Sequence, residues 1–184
     1  MTPNLNIHNI LSLGQEFTAE NVEYLAYQDC VIKSGIAPEI FRLNFECASD
    51  RAVYDLLYRD TDPTTNSGGS AQAKRNYTKC ENAVGWIANG RFRQLAGLPL
   101  AFDKKGRPRA YFQPQGKPLE IFCPLVTVAI WRAVAAKAGL SMPEFPAVGL
   151  RGEALGFWDW VISSGCPIII TEGEKKAAAL ISRE

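Results

Sequence analysis

The spacing of apolar and polar residues predicts that the first third of the chain is helical. Apolar residues recur near the 3.6-residue helical period over residues 18–34, and Gly35 follows as a stop. A second short helix is expected at Pro38, because proline suits the first turn of a helix. A third is predicted over residues 50–59. We therefore expect residues 1–60 to form a helical N-terminal region.

The middle of the chain has a different pattern. Residues 61–79 begin with a stretch rich in Pro, Asn, Ser and Gly, which predicts a flexible loop or linker. Over residues 80–124, Gly and Pro recur every few positions between short apolar pieces, which favours short antiparallel strands with tight turns. Residues 103–106 are a hairpin-turn candidate that ends in Gly. The predicted strands are 84–87, 98–102, 110–113 and 119–122.

The last region, residues 125–184, reads as a helix and a short amphipathic segment followed by the start of an α/β sheet. A buried helix is predicted over residues 126–138, and a short amphipathic segment over residues 157–162. The β-branched run 168–170 predicts a buried strand, followed by a sharp turn and another helix. The predicted fold class is therefore α+β, with a helical N-terminal part, a small antiparallel β-rich middle and the beginning of a sheet.

Charge is distributed unevenly along the chain, although the net charge is only +1. Residues 1–73 contain four basic and ten acidic residues, a net charge of −6. Residues 74–117 contain ten basic and two acidic residues, a net charge of +8. An acidic front and a basic middle are expected of a segment that binds a polyanion.

The basic middle also contains aromatic residues next to arginines. Arg91 and Arg93 would share one face of a strand, as would Arg107 and Arg109, and aromatic residues lie beside each pair. Such a face could hold a nucleic-acid backbone and stack bases, and a solvated surface is the alternative. The candidate nucleic-acid-binding residues are Lys74, Arg75, Lys79, Arg91, Arg93, Lys104, Lys105, Arg107, Arg109, Lys175 and Lys176.

The turn after the predicted terminal strand carries the one catalytic candidate, Glu172. Open α/β sheets place their chemistry just past the C-terminal ends of strands. Lys175 and Lys176 follow in the first turn of the next helix, where the helix dipole disfavours cations, so contact with a phosphate would explain them. The alternative is an ordinary solvated junction between a strand and a helix.

Several classes of function are disfavoured. The single histidine, His8, excludes a multi-histidine metal site, and no GxxxxGK[ST] phosphate loop occurs. The five cysteines form no CxxC pair, which suits reduced thiols and a cytoplasmic location. No apolar run reaches about 18 residues, so we expect no membrane partner.

The C-terminal third resembles the Toprim-like region of plasmid replication proteins of cyanobacteria, a primase-like, Toprim-associated domain of unknown function. The resemblance rests on Ala129-Ile130-Trp131, on the tryptophan segment 157–161 and on residues 167–178, with weaker similarity at 35–39 and 116–120. It covers roughly residues 20–184.

The resemblance implies phosphoryl-transfer chemistry in which Glu172 is a general acid or base, or lies near a metal. In the complete Toprim domain, aspartates on a later strand hold Mg²⁺, and this sequence ends before such a strand. We therefore expect a fragment of a plasmid replication protein that retains DNA binding, single-stranded or duplex, and has lost catalysis. Other replication proteins or a full-length relative are the implied partners. A non-catalytic interaction module and an inert truncated product are the alternatives.

Overall fold

The computed structural model describes residues 19–62, 70–118 and 120–183. Within these ranges the chain contains seven α-helices, one π-helix and a four-stranded antiparallel sheet, so the predicted α+β class is confirmed. His8 and most of the predicted loop before residue 70 lie outside the described residues.

The four strands lie between residues 46 and 112, and helices precede, separate and follow them. The helices are α1 (Ala19–Tyr27), continued by a π-helix (Gln28–Ile32), α2 (Pro38–Asn44), α3 (Asp50–Leu57), α4 (Ala71–Cys80), α5 (Val128–Ala138), α6 (Phe157–Ser163) and α7 (Glu174–Ile181). The strands are β1 (Glu46–Ser49), β2 (Val84–Ala88), β3 (Arg91–Ala96) and β4 (Tyr111–Phe112), paired in this order. Two compact units result: the described part of Met1–Ala26 with Glu46–Pro118, and Tyr27–Phe45 with the described part of Leu119–Glu184.

The sheet of the first unit is organised around a two-residue hairpin turn. Asn89 and Gly90 join β2 to β3, and both have positive φ, 50° and 68°, as a type I′ turn requires. Because directly paired residues share a face, the register then sorts the side chains into rows. One row on one face contains Cys47, Trp86, Arg93 and Tyr111, and a row on the other contains Glu46, Ile87, Phe92 and Phe112.

Helices cover both faces of this sheet. On one face Phe92 and Phe112 form a buried cluster with Val53 and Leu57 of α3 and Cys80 of α4. On the other face, helix α1 packs a buried valine against β2 and β3. The sheet therefore has a buried apolar cluster on each face, which supports it although β4 has only two residues.

The second unit is built around α5 and α6. Helix α5 begins at the cap of Thr127, whose hydroxyl accepts from the Ile130 amide at 3.3 Å, and ends at Gly139 with φ 64°. The Trp131 ring packs edge-on against Phe157 of α6, with centroids 5.8 Å apart. The helix predicted at 126–138 is confirmed, and the amphipathic segment predicted at 157–162 forms α6.

The predicted buried strand at residues 168–170 is wrong. Residues 166–171 lie outside any helix or strand, and Ile168, Ile169 and Ile170 are 53%, 75% and 90% exposed. A strand needs a neighbour to satisfy its backbone groups, and the only β pairing described in the second unit is one isolated bridge between Val148 and Ala154. The helix predicted after the turn is confirmed as α7.

The predicted linker at residues 61–79 contains a helix. Helix α4 begins after Ser70, whose hydroxyl accepts from the Ala73 amide at 3.1 Å. Its sequence is mostly polar and buries only Asn76 and Cys80, so no apolar period indicated it. Of the strands predicted at 98–102 and 119–122, the first forms only an isolated bridge at Phe102, and the described residues 120–122 form none.

Candidate nucleic-acid interface and the Glu172 turn

The predicted turn at residues 103–106 is the tip of a short hairpin in the first unit, residues 101–110, which we call the basic hairpin. Phe102 and Pro108 form an antiparallel bridge across it. Beside that bridge, the Asp103 amide donates to the Arg107 carbonyl at 2.8 Å. The hairpin is therefore closed by backbone hydrogen bonds up to its tip.

The carboxylate of Asp103 organises the tip itself. It accepts from the backbone amides of Lys105 at 2.8 Å and Arg107 at 2.9 Å, and from the Arg107 guanidinium at 2.8 Å. Hydrogen bonds from Arg107 are the main cause that lowers the pKa of Asp103 below its ordinary value. The ionised carboxylate thus stabilises the turn and forms an ion pair with one of the hairpin's cations, Arg107.

The remaining cations of the basic hairpin face solvent. Lys104, Lys105 and Arg109 are exposed, and the guanidinium carbon of Arg109 lies 5.8 Å from the centre of the Phe112 ring. With four basic residues and one acid, the hairpin has a net charge of +3. Three exposed cations on one short hairpin can contact successive phosphates.

Sequence reasoning missed one residue of this surface. The Phe102 ring is 58% exposed, although the sequence assigned it to an apolar strand piece. Leu100, two positions earlier, is buried in the core, so the hairpin leaves the core between these residues. The only signal in the sequence was the position of Phe102 directly before a turn rich in lysine.

Arg91 and Arg93 lie on one face of β3, as predicted. Their guanidinium carbons lie 5.7 and 4.8 Å from the centre of the Tyr111 ring, which packs edge-on against the buried Trp86. Both arginines are half-buried. This cation–π arrangement fixes the two side chains on Tyr111, and their contact with nucleic acid stays a prediction.

The other predicted pair, Arg107 and Arg109, does not present two equivalent guanidiniums. Arg107 binds Asp103, whereas Arg109 lies over Phe112.

Three further candidates precede β2 and lie on α4: Lys74, Arg75 and Lys79. The Arg75 side chain donates to the Gln72 side chain at 2.9 Å. Candidate cations of the first unit therefore occupy three elements: α4, β3 and the basic hairpin.

In the second unit, both lysines after the Glu172 turn have carboxylate partners. The Lys175 ammonium donates to Asp29 at 2.9 Å, with the two side chains 19% and 11% exposed. Lys176 pairs with Glu172, and both of these side chains are exposed. The two acids explain cations in the first turn of α7 without a phosphate.

The ion pair with Lys176 also affects the pKa of Glu172. The hydrogen bond from Lys176 is the main cause that lowers the pKa of Glu172, so its carboxylate is ionised at neutral pH. In that state it can accept a proton or bind a cation.

The Mg²⁺ implied by the Toprim resemblance does not fit the residues described around Glu172. Two-metal chemistry needs several carboxylates that converge on the ions. Over the described ranges no three His, Cys, Asp or Glu side chains come together as metal ligands. We therefore derive no catalytic step through a metal.

Comparison with known proteins places the chain near a cyanobacterial relative. Residues 157–184, which include α6, the Glu172 turn and α7, match a family described as Domain of unknown function (DUF3854). The chain is 31% identical over 169 residues to an uncharacterized protein of Picosynechococcus sp. (strain ATCC 27264 / PCC 7002 / PR-6), an alignment that covers 85% of this chain and 16% of that protein. The chain thus spans about one sixth of the length of this relative. No solved structure matches this chain.

Among the helices described, none is long and apolar enough to cross a membrane.

Proposed function

We propose that this chain binds DNA through its basic hairpin, as part of a cytoplasmic plasmid replication protein. The observation that carries the proposal is the set of three exposed cations, Lys104, Lys105 and Arg109, on a hairpin whose tip is held by Asp103. A preformed cationic turn loses little conformational freedom when it contacts phosphates. The excess of basic residues over residues 74–117 supports the same function.

Phosphate contact predicts a specific dependence on salt. Each phosphate neutralised on a single strand contributes about 0.7 to the slope of log affinity against log salt concentration. A triple variant, Lys104→Gln/Lys105→Gln/Arg109→Gln, should therefore bind a fluorescein-labelled DNA single strand of about 20 nucleotides more weakly, with a slope reduced by about 2 if each cation contacts one phosphate. Fluorescence anisotropy between about 25 and 200 mM salt covers the range in which such slopes are measured.

A matched control separates the hairpin from general charge. Arg132→Gln/Lys137→Gln/Arg151→Gln removes three exposed cations from the second unit and changes the net charge by the same amount. We expect this variant to keep the wild-type affinity and slope. An equal loss in both triple variants, or wild-type binding that does not depend on salt, would refute binding by the hairpin. An RNA oligonucleotide of the same sequence shows whether DNA is preferred.

A second candidate function, an interaction module, is favoured by one observation in the second unit. Ile168, Ile169 and Ile170 are consecutive and exposed next to the Glu172 turn. An exposed apolar segment outside any sheet is prone to pair with another chain, such as a full-length relative. Light scattering of the wild type and of Ile169→Lys tests this idea, since only an apolar contact through this segment makes the wild type the larger particle. An inert product is the remaining alternative, and it predicts neither DNA binding nor association of a defined size.

A further inference from the structure

The aromatic residue of the basic hairpin is placed where a nucleic-acid base could reach it. Phe102 is 58% exposed, lies two residues before Lys104 and faces Pro108 across the hairpin. Single exposed apolar residues are common on proteins, so exposure alone carries no function. What distinguishes Phe102 is that Lys104, Lys105 and Arg109 are exposed on the same ten-residue hairpin.

The structure also shows why this ring stays outside the core. The Gln94 side chain donates to the Leu98 carbonyl at 2.7 Å and accepts from the Leu100 amide at 3.2 Å, which holds the segment leading into the hairpin. At the other end Asp103 holds the tip. These hydrogen bonds keep the backbone at Phe102 on the surface of the first unit, where the residue is 58% exposed.

We propose that the Phe102 ring stacks on an unpaired base while neighbouring cations of the hairpin contact the adjoining phosphates, which makes the basic hairpin selective for single strands over duplex. This inference rests on the DNA binding proposed above and names its substrate class. In a duplex the bases are already stacked and paired, and an aromatic side chain reaches them only by unstacking a step. A single strand offers its base faces without that cost.

The first experiment compares a single-stranded oligonucleotide with its duplex form at one salt concentration. Phe102→Ala should weaken single-strand binding about tenfold, within the range measured for base–aromatic stacking, and leave duplex binding unchanged. Phe102→Leu keeps an apolar side chain but removes the ring, so it should show the same loss. Phe102→Trp should retain single-strand affinity, because a larger aromatic ring also stacks.

The second unit supplies a matched control. Phe145 is 86% exposed and lies outside the basic hairpin, so Phe145→Ala removes an accessible ring from a site without hairpin cations. We expect Phe145→Ala to bind both forms of DNA like the wild type. Thermal melting monitored by circular dichroism shows that each variant is folded, and Phe102→Leu provides the result if Phe102→Ala does not fold.

An independent readout uses fluorescence. The indole in Phe102→Trp should be quenched by single-stranded DNA and not by duplex, whereas the indole in Phe145→Trp should respond to neither beyond the wild-type change. Quenching of Phe102→Trp by both forms to the same extent would overturn the selectivity.

The outcomes separate this inference from the proposed function. If the Lys104/Lys105/Arg109 variant loses affinity but Phe102→Ala and Phe102→Leu keep single-strand affinity, the hairpin binds phosphates and the stacking inference is wrong. If neither kind of variant changes binding, both proposals fail. A loss confined to single strands in Phe102→Ala and Phe102→Leu, with Phe145→Ala unaffected, supports the inference.

Discussion

Lys175 in the first turn of α7 donates a hydrogen bond at 2.9 Å to Asp29, which lies 146 positions earlier in the π-helix. Both side chains are largely buried in the second unit. A second long-range bond in the same unit runs from the Ala37 amide to the Ser182 hydroxyl at 2.9 Å. The helix that follows the Glu172 turn is therefore fastened to the N-terminal part of its unit at both ends.

Removal of the Lys175 charge should destabilise the second unit. Lys175→Met leaves the Asp29 carboxylate buried without this cation, and we expect the free energy of unfolding to fall by about 2 kcal/mol. Urea unfolding followed by tryptophan fluorescence measures the change, because Trp131, Trp158 and Trp160 all lie in this unit.

The neighbouring lysine is the control for that measurement. Lys176→Met breaks an exposed pair with Glu172 and should leave the unfolding midpoint unchanged. The double variant Asp29→Asn/Lys175→Met should recover part of the loss, since no charge is then buried alone. Equal effects of Lys175→Met and Lys176→Met would contradict a structural role for the Asp29 pair.

The buried thiol of Cys80 predicts a loss of stability in alkaline solution. Burial, with a smaller contribution from Asp50, raises the pKa of Cys80 from 9.0 to about 11. The pKa of this thiol is higher in the folded state than in the unfolded state. Its contribution to the free energy of unfolding is therefore complete below the pKa of the unfolded state and is lost as pH rises from about 9 to about 11. Thermal melting at a series of pH values should show this decline.

Cys80→Ala isolates that contribution. At neutral pH the variant should be less stable by about 1 kcal/mol, since it leaves a small cavity beside Phe92. The deficit should shrink as pH rises, because only the wild type has a thiol to ionise at this position. Tyr54 and Tyr58 also have raised pKa values, and burial, the largest cause for both, acts in both proteins, so most of their contribution cancels in the difference. A deficit that stays constant up to about pH 11 would show that Cys80 does not contribute to the decline.

The approach of β2 to β3 leaves no room for a side chain at Gly85. A Cβ there would lie 1.8 Å from the Arg93 carbonyl oxygen and 2.9 Å from the Phe92 ring. Gly85→Ala must push the strands apart, and we expect a loss of about 3 kcal/mol in stability, with faster amide hydrogen exchange in β2 and β3.

Gly90→Ala is the control for this prediction. Its Cβ would meet nothing within 4 Å, so only the positive φ costs energy, about 1 kcal/mol. Comparable exchange rates in the two variants would refute the steric argument.

The hydrogen bonds to Asp103 predict how the tip of the basic hairpin responds to acid. Since the folded pKa of Asp103 is lowered, its stabilisation of the turn is present above the ordinary value of 3.8 and is lost as pH falls through the lower folded value. Arg107→Gln keeps the backbone amide and removes the guanidinium, so it should raise this pKa part of the way toward its ordinary value, as measured by carboxyl NMR titration. Lys104→Gln should leave the midpoint in place, because the hydrogen bonds that lower this pKa come from Arg107 and Lys105. An equal shift in both variants would indicate general charge instead.

Local features of the fold were predictable from short stretches of sequence. Pro38 begins α2, α5 ends at Ala138, and residues 103–106 form the turn of the basic hairpin, as expected. Helix α4 was missed because its sequence is polar and its cap at Ser70 lies beside a Gly-rich stretch. The turn at Asn89-Gly90 followed a standard signal that the strand prediction did not use.

The candidate site was predicted only in part. The run of basic residues in the middle of the chain was evident, and so was the shared face of Arg91 and Arg93. That Phe102 is exposed while Leu100 is buried depends on where the core of the first unit stops, which residue spacing does not show.

By itself the sequence determined where most helices and turns begin and end, and where positive charge accumulates, because these depend on neighbouring residues and on composition. Only the tertiary structure decided which charges are already paired and which apolar residues remain exposed. Lys175 donates a hydrogen bond to Asp29, which lies 146 positions earlier in the sequence. Ile169 has no strand to pair with among the described residues of its unit. Both results depend on contacts between distant positions, and local patterns contain no information on such contacts.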